Sequence, residues 1–195
     1  MTRVQQPTPP ASIEGLTVDV VDLIGKPGAH RTVERTAPAP DIEATGAAMR
    51  IATGTDITVE ASFESVVEGI FVTGTAEAEL AGECSRCLDP VDDDLSVRFD
   101  ELFTYPQKVP RDAADDDVDV LTGDEIDLGP LVRDALALET PPQPLCREDC
   151  PGLCPQCGFR MEEDPDHAHE VIDSRWAQLE ALLPQEPHEP QDGRP

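Results

Sequence analysis

Aromatic residues make up only 4% of this 195-residue chain: one Trp, one Tyr and five Phe. A core without large rings has to be assembled from Val, Leu, Ile and Ala, and such cores are commonly reinforced by metal or cross-links. Basic residues are scarce too. The 14 Lys and Arg, of which only Lys26 and Lys108 are lysines, stand against 41 acids, for a formal charge of −27. Affinity for phosphate comes mainly from cationic side chains, so the overall field disfavours bare nucleic acid and suits a basic protein partner. No apolar run is long enough to cross a bilayer, and the opening "MTRVQQPTPPASIEG" lacks the apolar stretch of a secretory signal. A soluble, cytoplasmic protein without membrane contact is expected. No Ser/His/Asp arrangement, phosphate-cradling glycine loop or His-Glu-x-x-His stretch is present. A catalytic role, and with it a small-molecule substrate, has no residues to carry it.

What the chain does have is cysteine in clusters. "CSRC" holds Cys84 and Cys87, and "CREDCPGLCPQCG" holds Cys146, Cys150, Cys154 and Cys157. In a reducing compartment such spacing reads as metal ligation before disulfides. A Cys-x2-Cys turn lets two sulfurs reach one ion, and structural zinc takes four tetrahedral thiolate or imidazole ligands. Gly158, directly after Cys157, leaves room for backbone N–H groups to turn toward the sulfurs. About ten residues beyond Cys157, "DPDHAHE" supplies His167 and His169. Eight candidates fill two structural zinc sites. The favoured grouping is Cys154, Cys157, His167 and His169 in one, and Cys84, Cys87, Cys146 and Cys150 in the other. A single site of Cys84, Cys87, Cys154 and Cys157 is the alternative, with the two histidines in a solvated acidic turn. A redox motif would need a helix opening at the cysteines, and neither pair leads into one. The surrounding acids are expected to raise the thiol pKa values.

Residues 1–13 and 184–195 read as disordered tails rich in Pro and Gln. Between them, 14–145 reads as a β-rich domain with a helix, and 146–183 as a cysteine-rich zinc-binding segment with a closing helix. "LTVDVVDLIG" suggests a strand and "TAPAPDIEATG" a proline-rich connection. From Met49 to Tyr105 the apolar period is two: Ile57, Val59, Ala61 and Phe63, then Ile70 and Val72, then Ala76, Ala78 and Leu80, then Leu95, Val97 and Phe99. Residues 111–127 carry eight acids and read as a solvated loop. Leu128, Leu131, Val132, Ala135 and Leu138 fall on one helical stripe, with Pro130 tolerated in the first turn. Trp176, Leu179, Leu182 and Leu183 make the closing helix. The expected class is α+β, mainly β: an antiparallel meander or small barrel-like sheet, two or three short helices and a C-terminal zinc-binding segment.

Several stretches together resemble the YceD family, named for large ribosomal RNA subunit accumulation. They are "VEGIFVTGTAEAELAGECSRCLDPV", "DELF", "EIDLGPLVRDALALETPPQPLC", "IDSRWAQL" and, most specifically, "CPGLCPQCG". The resemblance runs from about Leu16 to Leu183. It implies a non-enzymatic role in large-subunit biogenesis and rRNA accumulation, with a basic large-subunit ribosomal protein or precursor rRNA as partner. The other reading of the same features is a zinc-stabilised acidic adaptor for a basic protein unrelated to ribosomes.

Overall fold

The computed structural model describes residues 13–40, 48–110 and 118–169. The chain divides into two compact units between Gly152 and Leu153, so Cys146 and Cys150 lie in the same unit as the sheet.

The first unit is built on an antiparallel meander. Strands β4 (Asp56–Ser65), β5 (Gly69–Glu83) and β6 (Pro90–Thr104) follow one another by hairpins. Strand β2 (His30–Pro38) lies on the outer edge of β4. Strand β3 (Met49–Ile51) continues the line of β4 along the same edge of β5. Ile51 faces Leu80 and Thr58 faces Glu77, so seven steps on one side answer three on β5. The surplus is turned out at 52–55, where the Thr55 amide donates to the Ala52 carbonyl at 3.1 Å. A separate two-stranded sheet pairs β1 (Thr17–Asp19) with β7 (Glu125–Asp127), and α1 (Gly129–Glu139) packs near β6.

The period-two pattern is obeyed over β4 to β6. Ile57, Val59, Ala61 and Phe63 are buried, as are Ile70, Val72, Ala76, Ala78 and Leu80, and Val97 and Phe99 on β6. Gly74 sits opposite Phe99, and a Cβ there would lie 2.5 Å from the Phe99 ring, so glycine is what lets the ring lie across β5. Leu16, Val18, Val20, Ile126 and Leu128 close the same core from the small sheet. Among the described residues the large sheet is open, ending at β2 and β6, and does not close into a barrel.

Three parts of the sequence reading change. Strand β2 was not expected, because its side chains are mostly exposed and only Ala37 is buried, so it lacks an apolar alternation. The 111–127 stretch is not all solvated loop: Leu121 and Ile126 are buried, and β7 pairs with β1 through Ile126 opposite Val18. In α1 the buried row is Leu128, Val132 and Leu136, while Leu138 is 85% exposed. One α-helix and a 3-10 turn at Pro106–Lys108 are present among the described residues. The closing helix expected at Trp176–Leu183, and residues 111–117 of the acidic loop, lie outside them. No helix of the described residues is long and apolar enough to cross a membrane.

Candidate metal centres

The 15-residue pairing of β5 with β6 runs in a single register from Gly69 opposite Thr104 to Glu83 opposite Pro90. "CSRCLD" is therefore the tip of a long, rigid hairpin. At that tip the Cys84 amide donates to the Asp89 carbonyl at 2.8 Å, and the Leu88 amide donates to the Cys84 carbonyl at 2.9 Å. This closure puts Leu88 at φ 62, a left-handed conformation that is strained for a branched side chain. Downstream, "TPPQP" ends α1 and brings the next cysteines back to the tip. The Ser85 amide donates to the Pro144 carbonyl at 2.9 Å, and Arg86 Nη1 donates to the Cys150 carbonyl at 2.9 Å.

The result is a group of four sulfurs. Those of Cys84, Cys87, Cys146 and Cys150 all lie within 4.8 Å of one another. Cys84 Sγ is 3.9 Å from Cys150 Sγ, and Cys87 Sγ is 3.6 Å from Cys146 Sγ. A tetrahedron with metal–sulfur bonds of about 2.3 Å has edges of about 3.8 Å, so these sulfurs are spaced to hold one ion. Cys84, Cys87 and Cys150 are buried, with Val91 and Leu145 packed against them, and Cys146 is exposed. Gly152, at φ 79, follows the group; a Cβ there would lie 2.9 Å from the Arg86 carbonyl oxygen.

The second unit repeats the turn. The Cys154 amide donates to the Phe159 carbonyl at 2.8 Å and the Gly158 amide to the Cys154 carbonyl at 2.8 Å, with Gly158 at φ 72. Position by position this matches the hairpin tip, with glycine where the tip has Leu88. Cys154, Cys157, His167 and His169 form the second group, again within 4.8 Å. Cys157 Sγ is 3.2 Å from the Nε2 atoms of both His167 and His169, and those two nitrogens are 2.9 Å apart. These spacings are somewhat shorter than the edges of about 3.4–3.6 Å expected for mixed sulfur and nitrogen ligands. Phe159 stacks on His167 with centroids 4.5 Å apart, fixing the imidazole plane.

A family model described as large ribosomal RNA subunit accumulation protein YceD matches residues 72–183. The chain belongs to the YceD family. An uncharacterised protein of Mycobacterium tuberculosis is 39% identical over 94% of this chain and 89% of its own length. One from Mycobacterium leprae is 34% identical over 88% of this chain and 79% of its own. The uncharacterised protein YlbN of Bacillus subtilis is 35% identical over 57% of this chain and 65% of its own. No solved structure matches.

In this YceD chain both groups are compatible with metal. Cys84 and Cys87 are grouped with Cys146 and Cys150 rather than with Cys154 and Cys157. The expectation that nearby acids raise the thiol pKa values is corrected at two positions. The backbone amide of Cys146 leads those of Cys87 and Arg86 in holding Cys84 down to about 6, against the effect of burial. The amides of Gln156 and Cys157, with a smaller contribution from His167, hold Cys154 at about 6. Amides aimed at a sulfur outweigh solvated carboxylates farther off. Cys87 goes the other way. The Asp89 amide favours its thiolate, but burial and the neighbouring thiols push it up to about 12. Cys146 is likewise raised: the hydrogen bond with Cys87 is outweighed by burial and by Cys150 and Cys84.

Two supporting residues had escaped the sequence reading. Arg86 clamps the Cys150 carbonyl, and its own amide lies 3.5 Å from Cys84 Sγ. Gly152 lets the second strand of ligands approach the hairpin tip. The only sequence signals were a lone cation between two cysteines and a glycine between two others.

Proposed function

We propose that this chain is a non-enzymatic factor in large-ribosomal-subunit biogenesis, acting on accumulation of large-subunit rRNA through a basic ribosomal protein or precursor rRNA. The observation that carries this reading is the match to the YceD family over residues 72–183, which takes in nearly all of the β5–β6 hairpin and both candidate metal centres. Zinc is the ion the donor sets suit best: thiolates and imidazoles, four per site, with no carboxylate. Cys84, Cys87, Cys146 and Cys150 would hold one ion, and Cys154, Cys157, His167 and His169 the other. A site with all four positions filled by protein is structural, fastening segments rather than activating water.

A second reading, an acidic adaptor for a basic protein unrelated to ribosomes, is favoured by the solvent face of the sheet. Glu34, Glu60, Glu77, Glu79, Asp94 and Asp100 share that face with Arg50 and Arg98. Glu79 stands directly opposite Asp94, and Glu34 opposite Glu60. Like charges so placed destabilise a bare sheet and are relieved by a basic partner. A groove of about 760 Å³ over this face is lined by Asp56, Glu77, Glu79 and Asp94 among others.

Affinity purification from cells, with identification of bound protein and RNA, separates the two readings. Large-subunit proteins or precursor rRNA in the eluate, together with a fall in large-subunit rRNA on depletion, support the first. A basic partner with unchanged rRNA supports the second.

A further inference from the structure

The two centres share a Cys-x2-Cys turn but not its accessibility. At the hairpin tip Cys84 is 0% exposed, Cys150 3% and Cys87 7%, and Cys146 is the open member. Its sulfur faces that of the buried Cys87, which lies 59 positions away on another element. In the second centre Cys157 and His169 are exposed, His167 is half-buried and only Cys154 is covered. There the exposed sulfur and its potential disulfide partner sit in one turn. The first centre is also fastened from outside its ligands, by Ser85 to Pro144 and Arg86 to Cys150. Thiol oxidation follows thiolate character and access, and metal-bound cysteines are thiolates.

We propose that Cys154 and Cys157 form an oxidation site, through which a peroxide empties the second centre while the first keeps its ion. This rests on the reading of both centres as metal sites. The Cys157 thiolate attacks one peroxide oxygen, the O–O bond breaks, hydroxide leaves and Cys157 becomes a sulfenic acid. The Cys154 thiolate then attacks that sulfur, the S–S bond forms and a second hydroxide leaves. Two thiolates have lost two electrons and the peroxide has gained them. With two of four ligands gone, the ion is left on two imidazoles, one half-buried and one exposed, and departs.

The test titrates hydrogen peroxide into the full zinc-loaded chain, following released zinc with a colorimetric chelator and mapping disulfides by mass spectrometry after alkylation. The expected result is release of about one equivalent, with a Cys154–Cys157 disulfide while Cys84, Cys87, Cys146 and Cys150 remain reduced, alkylatable thiols. A dithiol reductant with added zinc should restore the ion. In Cys154→Ser, peroxide should leave Cys157 as a sulfenic acid, trapped by a dimedone probe, with no disulfide. Oxidation of Cys146 or Cys87 at the same or lower peroxide, or resistance of the Cys154–Cys157 pair, overturns the proposal. A chain that carries no zinc as purified overturns the metal reading instead, and the disulfide map still judges the oxidation site.

Discussion

The hairpin tip at Cys84–Cys87 and the turn at Cys154–Cys157 use one backbone pattern in opposite surroundings. The first sits at the end of a 15-residue antiparallel pairing, and its four ligands join two elements far apart in sequence. Among the described residues the second has a single isolated bridge, between Leu153 and Arg160, beside it, and its ligands fall within 16 consecutive residues, 154–169. The difference teaches that ligand spacing alone does not say what a metal centre is for. In the first, the ion would fix how a sheet and its return segment meet. In the second, the ion would substitute for a core.

The largest effect should come from removing a buried sulfur. Structural zinc supplies on the order of 10 kcal/mol of apparent binding energy. Cys84→Ser should therefore lose one of two zinc equivalents and unfasten the hairpin tip from residues 144–150, seen as faster amide exchange along the β5–β6 ends. Cys154→Ser should also lose one equivalent but leave exchange in β4 to β6 as it was. Equal disturbance of the sheet by both would erase the contrast.

Next is the histidine pair. His167→Ala with His169→Ala should cost one zinc equivalent and leave Cys84 and Cys87 protected from alkylation. Full metal content in the double variant would assign the imidazoles to solvent.

Proton release discriminates the centres a third way. At pH 7.5 Cys84 and Cys154, at about 6, are already thiolates, whereas Cys87, at about 12, and Cys146, raised from its ordinary value, are protonated. Zinc entering the first centre must displace at least those two protons. Binding there should strengthen as pH rises, by at least about a hundredfold per unit for two or more protons. Titration calorimetry in buffers of different ionisation enthalpy would count them. Fewer than two protons released on filling the first centre contradicts this.

Smaller effects lie in the backbone. Gly152→Ala forces a left-handed alanine against Arg86 and should destabilise the first unit by about 1–3 kcal/mol in a melting experiment. Leu88→Gly should act in the other direction. It makes the tip like the Gly158 turn and removes strain of about 1–2 kcal/mol, less the glycine entropy of about 0.5–1 kcal/mol. Leu88 is 59% exposed, so little packing is lost. A destabilised Leu88→Gly would mean that this side chain has a contact worth more than its strain.

The central strands were legible because their inward residues are apolar and their outward ones are not, as in Ile57 to Phe63. Strand β2 was illegible because an edge strand with an exposed face needs no such pattern; Arg31, Glu34 and Arg35 sit in register with β4, and the Arg31 guanidinium turns to Asp22. Ile126 was hidden among acids, yet one buried side chain opposite Val18 suffices to make a short strand. In α1 the helical period leaves Leu136 and Leu138 about 80° to either side of Leu128. Spacing could not choose between them. Packing chose Leu136, in line with Leu128 and Val132 at successive fourth positions. The eight ligand candidates stood out through residue type and interval, whereas Arg86 and Gly152 depend on how two distant segments meet.

The first centre joins residues up to 66 positions apart, and the second joins residues no more than 15 apart. That difference sets a timetable during translation. As the chain leaves the ribosome N-terminus first, Cys84 and Cys87 emerge early on a hairpin paired with strands already made, but they must wait for α1 and the segment after it. Once Cys150 is out, the remaining step is closure of a loop of roughly sixty residues, whose entropy has already been reduced by the folded sheet. The second set needs only a few more residues and no long-range search. Both centres should therefore fill late and nearly together, after the sheet is built, so a nascent chain stalled before residue 146 should carry a folded meander and no ion.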